Sequence, residues 1–286
     1  MARTILITGC SSGIGWDCAR TMAARGWKVF ATARTEADLQ ALAKQGVTPV
    51  HLDYRDAASI EAAITTVYDA TGGTLDALFN NGAYALPGAV EDLPMDGLRD
   101  MFEANFFGWH DLTRRIIPNM RKQRSGRIVQ CSSVLGFMYL KYRGAYTASK
   151  HALTGYSETL RIELDGSGVH VSIIEPGPIR TRFDANAVAA FKTWIDPTGS
   201  PHEALYRQRM EKLERGRGSS RTANAFQLGP EAVTQKLIHA CESPRPKPHY
   251  YVTKPAYLLD AMRRTLPARA MSATMRAISE REAKET

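Results

Sequence analysis

No apolar run in the 286 residues approaches the ~20 needed for a membrane-spanning helix, which excludes an ordinary helical span. Cysteine is scarce. Cys10, Cys18, Cys131 and Cys241 lack paired metal-ligand spacing, so no metal site is expected, and a reduced thiol set is the simplest reading. No low-complexity linker divides the chain and no internal repeat is visible, which favours one large α/β domain. The start, Met1-Ala2-Arg3-Thr4, runs straight into an apolar strand with no cleavable signal pattern, so a cytoplasmic protein is expected. Residues 1–200 have almost no net charge, with 21 lysines and arginines against 20 acids. Residues 201–286 carry 16 against 9, and any electrostatic partner belongs there. That basic end lacks interleaved aromatics, so no nucleic-acid partner is expected.

What is present begins with a short β-branched run, Thr4-Ile5-Leu6-Ile7-Thr8, read as a buried strand. Gly9-Cys10-Ser11-Ser12-Gly13-Ile14-Gly15 follows, then a helical pattern that Gly26 ends, then a second strand over 28–33. Such a turn lets the backbone approach a pyrophosphate, and the helix N-terminus offers unpaired N–H groups. A tight βα turn without a ligand has the same look. The second strand should deliver a side chain to an adenosine ribose. It ends in Ala33-Arg34, which would welcome a 2′-phosphate and favours NADP(H), unless Arg34 is simply solvated. Glu36 and Asp38 read as first-turn residues of a helix over 37–44.

Further strands are expected over 47–52, ending at Asp53, over 75–79, ending in Asn80-Asn81-Gly82-Ala83, and over 126–131, ending in Ser132-Ser133. A helix is expected over 57–70, and a long helical region over 95–124 that Pro118 kinks or closes. Asn105 lies inside that region and needs partners for its amide. A helix over 146–164 places Tyr146 and Lys150 at i and i+4, on one face. A phenol near an ammonium gains stability as phenolate and becomes a usable proton donor or acceptor. The sixth strand covers 169–174, and the Pro176-Gly177-Pro178 run stops it. The alternation of strand and helix implies a parallel sheet with ligands at its carboxyl ends.

Together these pieces resemble the short-chain dehydrogenase/reductase family. Thr8-Gly9 through Gly15 is similar to its cofactor turn, and Asn80-Asn81-Gly82-Ala83 to its Asn-Asn-Ala-Gly element with the last two residues exchanged. Asn105, Ser133, Tyr146 and Lys150 match the family's catalytic four in order, and Ser133 precedes Tyr146 by 13 residues, which selects it over Ser132. The resemblance covers residues 4–183 and 229–252. Ala31-Thr32-Ala33-Arg34 narrows it toward the 17β-hydroxysteroid-dehydrogenase-like and retinol-dehydrogenase-like branch.

It implies a doubly wound Rossmann domain, residues 1–254, with a seven-stranded parallel sheet flanked by helices, and a helical C-terminal extension, 255–286. It also implies that NADP(H) is held by Gly9, Ser11, Ser12, Gly13, Ile14, Gly15, Arg34, Asp53, Asn80, Tyr146, Lys150, Pro176, Gly177, Ile179 and Thr181. In the implied mechanism Tyr146 moves the proton and Lys150 lowers the Tyr146 pKa. Ser133 bonds the substrate oxygen, and Asn105 supports a water relay. The expected function is NADP(H)-dependent interconversion of a lipophilic carbonyl compound and its alcohol. The alternatives are an acyl-carrier-linked 3-oxoacyl reductase or a catalytically silent nucleotide-sensing scaffold.

Residues 183–221 are expected to form a substrate lid, with Phe183, Val188, Phe191, Trp194, Ile195 and Tyr206 as apolar cover or core packing. Met138 and Tyr139 are further candidate walls. On a helix over 202–215, Arg207, Arg209, Lys212 and Arg215 form a solvated face, or else meet an acidic substrate tail or carrier protein. A seventh strand covers 249–252. Helical stretches over 256–266 and 268–278 form a basic amphipathic pair. Packing on the same subunit or on a second one is preferred to membrane contact, and a homodimer or homotetramer is expected.

Overall fold

Seven short runs rich in β-branched and apolar residues pair into one parallel sheet in the computed structural model, which describes residues 2–214 and 226–285. They are β1 (Thr4–Ile7), β2 (Lys28–Ala33), β3 (Thr48–His51), β4 (Ala77–Asn80), β5 (Gly126–Cys131), β6 (Val169–Glu175) and β7 (His249–Tyr251). The order is β3-β2-β1-β4-β5-β6-β7. Leu6 of β1 stands opposite Phe30 on one side and Leu78 on the other. Every residue of β1 and β4 is buried, as a sheet covered on both faces requires. Strand order reverses between β1 and β4, so the carboxyl ends of those two strands open a crevice.

The helices α1 (Gly13–Ala24), α2 (Glu36–Ala43) and α3 (Ala57–Thr71) follow the first three strands. Their ends obey local chemistry. Thr35 caps α2 by accepting from the Asp38 amide at 3.2 Å, which leaves Glu36 and Asp38 in its first turn. Asp56 caps α3 through the Ala58 amide at 2.9 Å, and Gly72 ends it in the left-handed region, φ 65°.

The region 95–124 is not one regular helix. It comprises α4 (Met95–Phe102), a π-helical turn over Glu103–Phe107, and α5 (Gly108–Gln123). The π turn rotates Asn105 inward to complete burial. Pro118 lies inside α5 and does not end it; the end comes at Arg124, in the left-handed region. Then come α6 (Gly144–Glu163), α7 (Phe183–Trp194) and α8 (Glu203–Glu214). The helix Glu231–Glu242 packs against α1.

Two apolar cores result. One surrounds the sheet, with Ile5, Phe30, Leu78, Trp109 and Ile128 among its members. The other lies beneath α7 and α8 and includes Leu86, Met101, Leu135, Tyr146, Phe191 and Tyr206. The C-terminal helices Lys254–Thr265 and Ala268–Glu285 join this second core through Met271 and Met275. Ser279 accepts from the Lys141 amide at 3.2 Å, and Ser272 bonds Tyr139 at 3.1 Å, so the basic pair packs on its own chain. Among the described residues no helix is long and apolar enough to cross a membrane.

Candidate active site

A cavity of about 900 Å³ runs along the carboxyl ends of the strands, from the glycine turn to α7 and α8. Of the residues expected at the nucleotide, Gly9, Ser11, Ser12, Gly13, Ile14, Arg34, Asp53, Pro176, Gly177, Ile179 and Thr181 line it. So do Ser133, Tyr146 and Lys150. Gly15, Asn80 and Asn105 do not.

Close backbone contacts build the turn. Gly9 has φ +68°, and a Cβ there would meet the Gly82 Cα at 2.5 Å. Gly13 has φ +58°, and its Cβ would strike the Thr181 Cγ2 at 2.8 Å. Neither position has room for a side chain, so the turn packs directly against Gly82 and Thr181. The exchanged order at Gly82-Ala83 also has a reason: Gly82 lies against the backbone of Gly9 and the ring of Tyr54.

Asn80 is fully buried below the cavity. Its Oδ1 accepts from the Tyr54 hydroxyl at 2.7 Å, and its Nδ2 donates to Thr113 Oγ1 at 3.0 Å. With its amide satisfied by protein, it braces β4 and does not face a ligand. Asn81 takes the cavity position instead and ties the turn down, donating from Nδ2 to the Thr8 carbonyl at 3.0 Å. Gly15 also lies under the turn, packed against the Gly9 carbonyl.

At the far end of β2, Arg34 is exposed and lines the cavity. Beside it Arg55 grips Asp100 with two bonds of 2.7 and 2.8 Å and lies 3.6 Å from Asp53. Sequence reasoning missed Arg55, Asp100 and Asn81. The only local signals were an arginine two residues after Asp53 and a second Asn after Asn80.

Tyr146 lies on the first turn of α6, buried, with the Phe183 ring edge-on at 5.4 Å between centroids. Burial, helped by the Cys131 thiol, pushes its phenol well above the usual range, while a hydrogen bond from Ser133 and the charge of Arg143 pull it down. Ser133 caps the short turn Val134–Gly136 by accepting from the Leu135 amide at 3.1 Å. The Ser132 hydroxyl is engaged by Thr154 at 3.1 Å.

Lys150 is buried on the same face, but its ammonium does not reach the phenol oxygen. Its Nζ donates to the Cys131 carbonyl at 2.9 Å and lies over the Trp109 ring at 4.4 Å and the Tyr146 ring at 5.7 Å. The pull on the Tyr146 phenol comes from Ser133 and Arg143, with the Lys150 ammonium 5.7 Å from the ring centroid. Burial instead drops the Lys150 pKa to about 8, partly offset by Cys131. Direct NMR of the lysine Nζ should then show a midpoint near pH 8 in the ligand-free protein, and a midpoint above 10 contradicts this. Below about pH 8 the buried charge destabilises the fold fully. Between 8 and the unfolded value of 10.5 the unfolded chain holds more protons, so this cost is relieved as pH rises.

Asn105 acts as a clamp. Its Nδ2 donates to the Tyr84 carbonyl at 2.8 Å, and its Oδ1 accepts from the Tyr84 amide at 3.1 Å. Ser149, 3.4 Å from its Nδ2, donates to the Tyr146 carbonyl at 2.9 Å. Asn105 thus reaches Tyr146 through the backbone.

Over the cavity, Phe183, Val188, Phe191, Trp194 and Tyr206 form walls; Ile195 is buried behind them against Gly88. Met138 and Tyr139 are not walls: Met138 is in the second core and Tyr139 bonds Ser272. Leu135, Leu140, Tyr142 and Arg143 stand there in their place. On α8 Arg207 pairs with Glu203, whereas Arg209 lines the cavity with its guanidinium 5.0 Å from the Tyr142 ring centroid. The Lys212 side chain and Arg215, like 215–221 of the expected lid, lie outside the described residues.

A family model described as "short chain dehydrogenase" matches residues 3–191. The chain is 39% identical over 271 residues to the uncharacterized oxidoreductase YbbO of Escherichia coli (strain K12), covering 95% of this chain and 93% of that one. It is 34% identical over 271 residues to human 17-beta-hydroxysteroid dehydrogenase type 1, covering 89% and 79%. Among solved structures, a single-residue variant of actinorhodin polyketide ketoreductase with NADPH superposes with a TM-score of 0.71 at 26% identity, over 88% of this chain and 95% of that one.

Proposed function

The chain belongs to the short-chain dehydrogenase family, and from that premise we propose that it interconverts a lipophilic carbonyl compound and its alcohol with NADP(H). One observation carries the reading: the buried Tyr146 phenol, on which Ser133 acts, opens onto a cavity that Phe183, Val188, Phe191 and Trp194 line on one side. Nicotinamide supplies or accepts the hydride when bound. Tyr146 gives a proton to the carbonyl oxygen in reduction and takes one back in oxidation. Ser133 donates a hydrogen bond to the same oxygen. Lys150, charged below about pH 8, holds the hydroxyls of the nicotinamide ribose. The turn from Gly9 to Ile14 takes the diphosphate on the N-terminus of α1, and Pro176 to Thr181 bound the nicotinamide end. Asn105 fixes the loop and helix that carry Tyr146 and does not touch substrate.

Arg34 supports the choice of NADP(H). It is exposed at the cavity edge, while Glu36 and Asp38 are held in the first turn of α2, leaving no acid at the end of β2 to bind a ribose hydroxyl pair. A panel of aldehydes and ketones followed by NADPH absorbance, repeated with NADH, tests the reading. Arg34→Ala should raise the KM for NADPH about tenfold or more and leave that for NADH within about twofold, since a charge-assisted phosphate contact is lost only from the former. Equal effects on both nucleotides, or an unmodified enzyme preferring NADH, would contradict the assignment.

A further inference from the structure

Ser133 is held in place by the end of β6. The Ser132 amide donates to the Ile174 carbonyl at 2.8 Å, and the Val134 amide donates to the Pro176 carbonyl at 2.9 Å. Ser133 is strung between these two backbone bonds. Their acceptors flank Glu175, and Pro176 opens the segment read above as bounding the nicotinamide. Whatever fixes Glu175 therefore fixes that segment and the Ser133 hydroxyl together.

Glu175 is 1% exposed, and a carboxylate buried so deeply needs a partner. His249 of β7 supplies it, with Nδ1 2.9 Å from Glu175 Oε2. The other ring nitrogen, Nε2, lies 2.6 Å from Glu158 Oε1 on α6, the helix that carries Tyr146 and Lys150. A neutral imidazole turns a bare nitrogen to one of these two carboxylates, whereas the imidazolium has a proton for each. The bond to Glu175 accordingly holds the His249 pKa above its ordinary 6.5. Of the other charges that face the pair, Arg161 on α6 joins Glu158, and Asp260 on the helix Lys254–Thr265 is taken by Arg263 at 3.0 Å and Arg264 at 2.9 Å. The Tyr251 ring stacks on His249, 6.1 Å between centroids. Further along the same stretch, buried Thr253 backs Gly177, where a Cβ would lie 2.1 Å from its Oγ1. His249, Glu175 and Glu158 do not line the cavity.

We propose that His249 is a positioning residue: by clasping Glu175 to α6 it sets Ser133 and the Pro176-Gly177 turn against Tyr146, without touching substrate or cofactor. This rests on the carbonyl–alcohol reading above and extends it to residues behind the cavity wall. A neutral ring keeps its Nδ1 proton for Glu175, so the clasp outlasts loss of the charge.

His249→Leu should lower kcat for carbonyl reduction about tenfold or more, because a misplacement of about 1 Å can cost about 100-fold where reacting atoms must align. The Kd for NADPH should stay within about threefold, since the glycine turn and Arg34 belong to the opposite half of the sheet. The blue shift of nicotinamide emission on binding should be smaller than in wild type. His249→Asn, whose amide nitrogen stands where Nδ1 stands, should recover most of the kcat. NMR of the wild-type His249 ring, with no ligand added, should give a midpoint above 6.5. A His249→Leu protein that loses thermal stability but keeps kcat and the emission shift overturns the proposal. So does a rise in NADPH Kd that accounts for the whole loss, or a ring midpoint below 6.5, which would mean that Glu175 is not its ionised partner. If the Leu protein does not fold, His249→Asn is compared with His249→Gln, whose amide nitrogen stands nearer Nε2. The Asn protein should then have the higher kcat, and equal values overturn the clasp. A wild type that reduces no carbonyl compound sinks the reaction alone, because the emission shift and the ring titration still decide the clasp.

Discussion

Tyr146→Phe should keep NADPH binding within about twofold of wild type and lower turnover by about 10²–10⁴-fold, the scale of positioned acid–base catalysis. The substitution is nearly isosteric. The edge-on contact with Phe183 survives and no cavity forms, so a loss of turnover cannot be charged to unfolding. What disappears is one hydroxyl and its proton. Burial raises the phenol pKa, so the group is fully protonated at neutral pH in the free enzyme. Carbonyl reduction, which needs that proton, should therefore be nearly flat between pH 6 and 8. Alcohol oxidation needs the phenolate and should rise with pH over the same range. Stopped-flow NADPH absorbance in both directions checks the pair of slopes, and near-wild-type activity in the Phe variant would remove Tyr146 from the role.

The second large effect is expected at Gly15, which never touches the cavity. A Cβ there would lie 2.2 Å from the Gly9 carbonyl oxygen and 2.8 Å from Asn81 Nδ2. Neither can retreat: the first is backbone of the phosphate turn, and the second is bonded to the Thr8 carbonyl at 3.0 Å. Gly15→Ala should cost about 1–3 kcal/mol of stability through overpacking and weaken NADPH about 100-fold by displacing the turn. Gly155→Ala, in α6 with nothing within 4 Å of the added methyl, is the control and should stabilise by about 0.5–1 kcal/mol. Thermal unfolding with nucleotide fluorescence separates the two; an undisturbed Gly15→Ala protein would mean the turn is looser than described.

The strands and the glycine turn could be read from sequence because their signals are local. β1 is four consecutive apolar or β-branched residues, all buried, and the turn glycines follow it at once. Ser133 could be told from Ser132 by spacing, and the hydroxyls do part: one toward Tyr146, the other onto Thr154. What the sequence hid depends on partners distant in the chain. The helical period put Lys150 on the face of Tyr146. The carbonyl that captures its ammonium belongs to Cys131, at the end of another strand. Asn105 read as a costly mid-helix amide, and the π turn that accommodates it is held by Tyr84 from a separate loop. Met138 and Tyr139 were sensible cavity walls until the C-terminal helix supplied Met271 and Ser272 to engage them.

Hydride transfer onto a carbonyl carbon, with Tyr146 delivering the proton, is the centre of this account. Incubating the protein with NADPH deuterated at the transferable C4 position and a lipophilic aldehyde, then examining the alcohol by mass spectrometry, tests it most directly. One deuterium on the carbinol carbon in wild type, and almost none formed by Tyr146→Phe over the same time, is the predicted result. An alcohol without deuterium, or equal labelling by both proteins, would contradict it.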